Sequence, residues 1–104
     1  MKNVKALTEE LKISALILKT DTEKMYRLSD VKPEYWGISN LLGAVMLTLR
    51  QTEIDLKEIK SHAVGIFRLV TDSSVILEDS QLGQGLMNFR LKLRELASML
   101  EEDG

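Results

Sequence analysis

The sequence predicts an all-α fold: three long antiparallel helices in an up-down-up bundle, one domain over residues 1–104, completed by homodimerisation. Three observations carry this expectation. Apolar residues recur at three- and four-residue steps, the spacing of one helix face. Only one proline and six glycines interrupt the pattern. Aromatic residues make up 5% of the chain against 44% hydrophobic residues in all, so the core is built mainly from aliphatic side chains. Long unbranched side chains of that kind keep their rotamer freedom in a helix.

In the first segment Val4, Leu7, Leu11, Leu18, Met25 and Leu28 alternate between steps of three and four, and Ser14 and Asp21 fill the vacant positions. Ile13 and Ile17 add a second stripe. Thr20 to Glu23 has the form of a capping box, yet the stripe resumes in phase at Met25, which predicts one continuous helix. Asp30 and Pro33 then mark a stop, because proline lacks an amide donor and clashes with the preceding turn. Pro33 opens a short turn holding Trp36, and Ser39 or Asn40 caps the next helix. Tyr35 and Trp36 at this bend are expected to cover the end of the core, or to offer a partner contact of the kind Trp and Tyr commonly make.

The second segment has the clearest pattern. Leu42, Val45, Leu49, Thr52, Leu56, Ile59, Ala63, Ile66 and Val70 step by three and four without a slip. That spacing defines a narrow coiled-coil-like seam on an unbroken rod from residue 39 to 71, about 50 Å long. Leu47 and Ile54 fall on another face, for a second neighbour. Left open, such a seam would exceed the apolar stripe a monomer usually tolerates. Its apolar members, Leu42, Val45, Leu49, Leu56, Ile59, Ala63, Ile66 and Val70, are therefore the candidate association seam of a homodimer.

Asp72, Ser73 and Ser74 supply the next break. Leu82, Leu86, Phe89, Leu93, Leu96 and Leu100 form the third stripe, with Val75 one heptad upstream. Gly83 and Gly85 each cost about 1 kcal/mol against alanine in a helix interior. They leave two starts open: near Ser80, or at Ser74 with a close approach to a neighbour at the glycines.

Composition excludes several chemistries. The chain has no cysteine, which removes disulfides, thiolate catalysis and cysteine-ligated metals. A net charge of −2 supplies no global basic field for nucleic acid or anionic lipid. The lysine-flanked N-terminal segment carries Glu9 and Glu10 ahead of a short apolar run and has no small-residue cleavage site, unlike a signal peptide. No stretch reaches the roughly 18 apolar residues of a spanning helix, so a cytoplasmic protein is expected.

His62 is the single histidine. It directly precedes the seam residue Ala63, and its charge could tune association near neutral pH. The string His62-Ala63-Val64-Gly65 resembles the His-x-x-Lys-Gly signature of histidine phosphotransfer domains, helical bundles of similar length. Here the lysine is missing and the glycine falls one residue early. The resemblance covers about five residues and implies, as an alternative function, a phosphorelay module using His62. Asp55 and Glu58 precede His62, but Glu58 and His62 are four residues apart, not the three of a Glu-x-x-His metal helix. Ser61 adjoins His62 and points elsewhere on a helix, and Gly83-Gln84-Gly85 follows no strand. Arg90 and Arg94 share a face from which Lys92 diverges, and a small DNA-associated dimeric regulator presenting them is the second alternative.

The reading these observations favour is a non-enzymatic regulatory or adaptor protein of bacterial or phage type. It would act through protein–protein interaction and self-association, with no catalytic residue, metal or cofactor. The expected partners are a second copy and a protein whose identity the sequence does not give; neither membrane nor nucleic acid is expected. Tyr35, Trp36, His62, Arg90 and Arg94 are the candidate partner contacts.

Overall fold

The computed structural model describes residues 3–28, 32–72 and 80–103. It is all-helical: α1 (Val4–Leu28), α2 (Lys32–Leu49), α3 (Leu56–Asp72) and α4 (Ser80–Asp103). Each helix packs on its neighbours in sequence, and α4 closes the ring against α1. Contacts between helix ends fix the directions. Lys19 meets Gly43 and Ser39 across α1 and α2; Gly37 meets Leu69 and Gly65 meets Leu41 across α2 and α3. Phe67 meets Arg90, and Lys60 meets Glu101, across α3 and α4; Leu18 meets Gly85, and Glu10 meets Lys92, across α1 and α4. Every neighbouring pair is antiparallel, so the fold is an up-down-up-down four-helix bundle, 44 × 22 × 21 Å.

The expected count of three helices is therefore corrected to four among the described residues, because the rod predicted from 39 to 71 is broken. The amide of Arg50 donates to the carbonyls of Met46 (3.2 Å) and Leu47 (3.3 Å), and that of Gln51 to Thr48 (3.2 Å). These tightened bonds close α2. Asp55 then caps α3, its Oδ1 accepting from the amides of Lys57 (2.9 Å) and Glu58 (3.4 Å). Orphan backbone groups on both sides of the turn are thus satisfied locally. In return Leu42, Val45 and Leu49 fold back into the same core as Ile59, Ala63 and Ile66, all six buried. Full burial of a large aliphatic side chain is worth about 1.5–3 kcal/mol, far more than the cap and turn cost. A rod could bury them only in a second chain, at an added cost in translational and rotational freedom. Thr52, the polar position of the seam, lies exposed in the turn.

Pro33 is a start, not a stop. It sits in the first turn of α2, where its missing amide has no intrahelical role and its fixed φ suits a helix. Ser39 and Asn40 are consequently inside α2 and cap nothing. α1 runs through Thr20–Glu23 unbroken and is capped by Asn3, whose Oδ1 accepts from the amide of Ala6 at 2.7 Å. Its buried stripe is Leu7, Leu11, Ala15 and Thr22, with Leu18 and Met25 partly buried, so Ala15 and Thr22 take the places expected of Ser14 and Asp21. The buried hydroxyls of Thr8, Thr22 and Thr48 donate to the carbonyls four residues earlier, those of Val4, Leu18 and Ala44.

α4 is helical from Ser80, and a Cβ on Gly85 would lie 3.1 Å from Leu18 Cδ2, so α1 and α4 approach closely there. Gly43 differs: its Cβ would meet only Lys19 Cε at 3.6 Å. Gly43→Ala is expected to raise stability by about 0.5–1 kcal/mol, read from the urea midpoint. The stop expected at Asp30, the turn chemistry of Ser73 and Ser74, and Val75 lie outside the described residues. No described helix is long and apolar enough to cross a membrane.

Candidate functional site

With the seam consumed by the core, surface chemistry falls in four places. The first holds His62. It is half-buried between α3 and α2, not on the outer face of the bundle. Its Nε2 lies 2.9 Å from Thr48 Oγ1, and Thr48 Oγ1 lies 3.0 Å from Glu58 Oε2. An Nε2–H tautomer donates to the hydroxyl, which passes its own hydrogen to Glu58 or to the Ala44 carbonyl 3.2 Å away. Gly65, one turn on, receives Leu41, with the nearest atom 3.3 Å from where a Cβ would stand. Two residues of the His-x-x-Gly string, His62 and Gly65, therefore serve contacts between α2 and α3. Asp55 is occupied as a cap, and no group of three or more His, Asp or Glu suited to a metal exists among the described residues.

Burial is the main influence on His62 and holds its pKa below the ordinary 6.5, while the Glu58 charge pulls it back upward. The sign follows from linkage. Above about pH 6.5 the imidazole is neutral in both states and its stabilising contribution is fully present. As pH falls through 6.5 the unfolded chain takes the proton first and stability drops, levelling once the folded imidazole also protonates. Urea unfolding between pH 8 and 5 should show this loss in the wild type, and a smaller one in His62→Gln.

The second place is the groove between α3 and α4, about 490 Å³, lined by Lys60, Ala63, Val64, Arg90, Arg94 and Ala97, with Ser98 and Glu101 at its edge. Arg90 stacks its guanidinium 4.8 Å from the Phe67 ring centroid, a cation–π contact. Its Nε is buried and has no hydrogen-bond acceptor. Lys60 is paired with Glu101; among the described residues neither Arg90 nor Arg94 forms an ion pair. Lys92 lies on the other side of α4, paired with Glu10 of α1. The three basic residues of α4 are thus divided between two faces.

The third place is the outer face of α1 and its border with α4. Ile13, Leu16 and Ile17 are 61%, 54% and 55% exposed, three neighbours on one helical patch. Ile17 borders a cleft of about 220 Å³ whose walls include Leu18, Gly85, Asn88 and Phe89. Leu91, also exposed, is one turn from Asn88. The pattern Ile13, Ile17 was visible as a second stripe; that it faces outward was not, because periodicity alone does not say which stripe the core takes.

The fourth is Tyr35 and Trp36. They lie within α2 rather than at a bend: Tyr35 is buried in the core and Trp36 is 59% exposed. Trp36 shares a shallow depression with Glu23, Tyr26, Arg27, Ser39 and Asn40. There Lys19 bridges Glu23 at 2.6 Å and Ser39 at 3.1 Å. The Lys19 hydrogen bond and charge hold the Glu23 carboxyl below its ordinary pKa. Gly83, Gln84 and Gly85 are helical and form no phosphate loop.

Fold and surface together define the class: a four-helix bundle whose apolar seams are closed within one chain and whose remaining features are grooves and outward apolar patches. Comparison with protein-family models, curated proteins and solved structures finds no match.

Proposed function

We propose that the protein is a non-enzymatic interaction domain, regulatory or adaptor in role and cytoplasmic, which self-associates through the outer face of α1 and its border with α4. One observation carries this reading: Ile13, Leu16 and Ile17 stand exposed together on a bundle that already has a complete core. Contiguous exposed apolar groups of this kind mark association sites. Charge supports a second copy as the occupant. Beside the patch, Glu9 pairs with Lys12 at 3.0 Å and Glu10 pairs with Lys92. These pairs cancel, so the face carries no local excess charge from them to repel its own copy. In this reading the homodimer expected at the Leu42–Val70 seam forms instead at the α1 face, because most of that seam is occupied by the bundle's own core.

Ile13→Glu combined with Ile17→Glu tests it. Losing two large apolar contacts at about 1.5–3 kcal/mol each, and adding like charges, should weaken self-association by about 100-fold or more in sedimentation equilibrium. Because both side chains face solvent, monomer stability should stay within about 0.5 kcal/mol of wild type. A wild type that remains monomeric at millimolar concentration contradicts the reading.

A further inference from the structure

We propose that the α3–α4 groove is a second docking site, for an acidic amphipathic helix of a partner protein. The floor is made by Ala63 and Ala97, both buried and both small. Where most facing pairs of a bundle fill the space between helices, these two leave a depression of about 490 Å³. Lys60 to Val64 on α3 and Arg90 to Glu101 on α4 line it, and the α4 side is roughly three turns long at 1.5 Å per residue. Val64, exposed, supplies an apolar rim, and Phe67 lies beyond it against Arg90. A bulky aliphatic side chain fits such a hole, as in helix-in-groove recognition.

Charge selects the occupant. Arg90 and Arg94 stand one turn apart on the same face of α4, and neither has an ion-pair partner among the described residues. The Phe67 ring holds the Arg90 guanidinium in place, so less freedom is lost when it binds an anion. Carboxylates one turn apart on a visiting helix match this spacing, and arginine forks favour carboxylate geometry. Nucleic acid fits less well: Lys92 points away into its pair with Glu10, and Glu101 adds an acid to the groove that a phosphate backbone would meet. This site is independent of the α1 face. Two such grooves face to face would set arginine against arginine, whereas an acidic helix supplies the opposite charge.

The test uses an acetylated, amidated 18-residue peptide with leucine at one helical stripe and glutamate one turn apart beside it, titrated into ¹⁵N-labelled full-length protein. The expected result is amide shifts concentrated in residues 60–67 and 90–101. Arg90→Ala with Arg94→Ala should weaken binding by 10-fold or more, and so should a peptide with glutamine for glutamate. Ser98→Trp, at an exposed groove position, should block binding without touching the core. No shifts at millimolar peptide, equal binding of the glutamine peptide, or shifts centred elsewhere would overturn the proposal. So would groove shifts caused more strongly by a 12-base-pair DNA duplex than by the peptide.

Discussion

Leu42→Asp should abolish the folded state. Leu42 has no exposed surface and sits in the core among residues of α2, α3 and their neighbours. A carboxylate there loses its hydration among the apolar side chains of the core, a penalty of several kcal/mol even after relaxation. The leucine's own burial is lost as well. Domains of this size are stable by about 5–15 kcal/mol in total, so the sum exceeds or nearly exhausts the margin. Circular dichroism at 25 °C should show loss of helix and of a cooperative melt. Leu42→Ala is the graded version: a truncation at a fully buried site costs about 2.7–5 kcal/mol and should leave a foldable protein. Leu47→Asp on the same helix is the control. Leu47 is 68% exposed, so the substitution should change stability by no more than about 0.5 kcal/mol. The contrast between two leucines five residues apart depends only on which face of α2 the core takes.

Replacing residues 51–55 by alanine should convert a monomeric chain to a domain-swapped dimer. The seam stays in phase across the break, since Leu49, Thr52 and Leu56 keep the three–four rhythm. Alanine is the strongest helix former, and the replacement also removes the Asp55 cap, worth about 1 kcal/mol. A continuous helix from α2 through α3 then becomes accessible, and it prevents the hairpin from closing within one chain. Two such chains can restore the core contacts of α2 and α3 by exchange, losing only those of Ile54. The experiment belongs in the Ile13→Glu, Ile17→Glu background, where the outer α1 face is disabled. Light scattering should give the mass of one chain with the native turn and of two chains with the alanine turn. An alanine variant that stays a stable monomer would show that the turn does not depend on its own residues.

These expectations rest on the part of the fold that was hardest to see in the sequence. Helical content, the faces of α3 and α4, and the continuity of α1 follow from apolar spacing, which reports local geometry directly. The α2–α3 turn does not, because a pattern that stays in phase through a turn looks the same as one helix. Two signals did mark it: the polar Thr52 in an otherwise apolar seam, and Asp55 three residues ahead of Glu58, the spacing of a helix N-terminus. Pro33 was ambiguous for a similar reason, since proline both ends helices and begins them.

The surface was less legible than the core. Arg90 and Arg94 could be placed on one face, but the alanine floor beside them requires knowing that α3 and α4 are neighbours. His62 could be placed next to the seam, while its partner Thr48 is on a different helix and fourteen residues away. Ile13 and Ile17 formed a recognisable stripe, and only the closure of the core by Leu7, Leu11 and Ala15 shows that this stripe is left over.

The Leu42–Val70 seam folds back on itself within one chain, which leaves only outer surfaces for partners. Electron–electron distance measurement between spin labels at Asn40→Cys and Arg68→Cys tests it most directly. Both positions are exposed, and the chain has no cysteine of its own. Labelled protein is diluted into excess unlabelled protein, so only distances within one chain register. The folded-back bundle predicts a separation of about 10–25 Å, from the 8–10 Å spacing of packed helices plus the label arms. A continuous helix would place the labels about 42 Å apart at 1.5 Å per residue, and that distance would contradict the account.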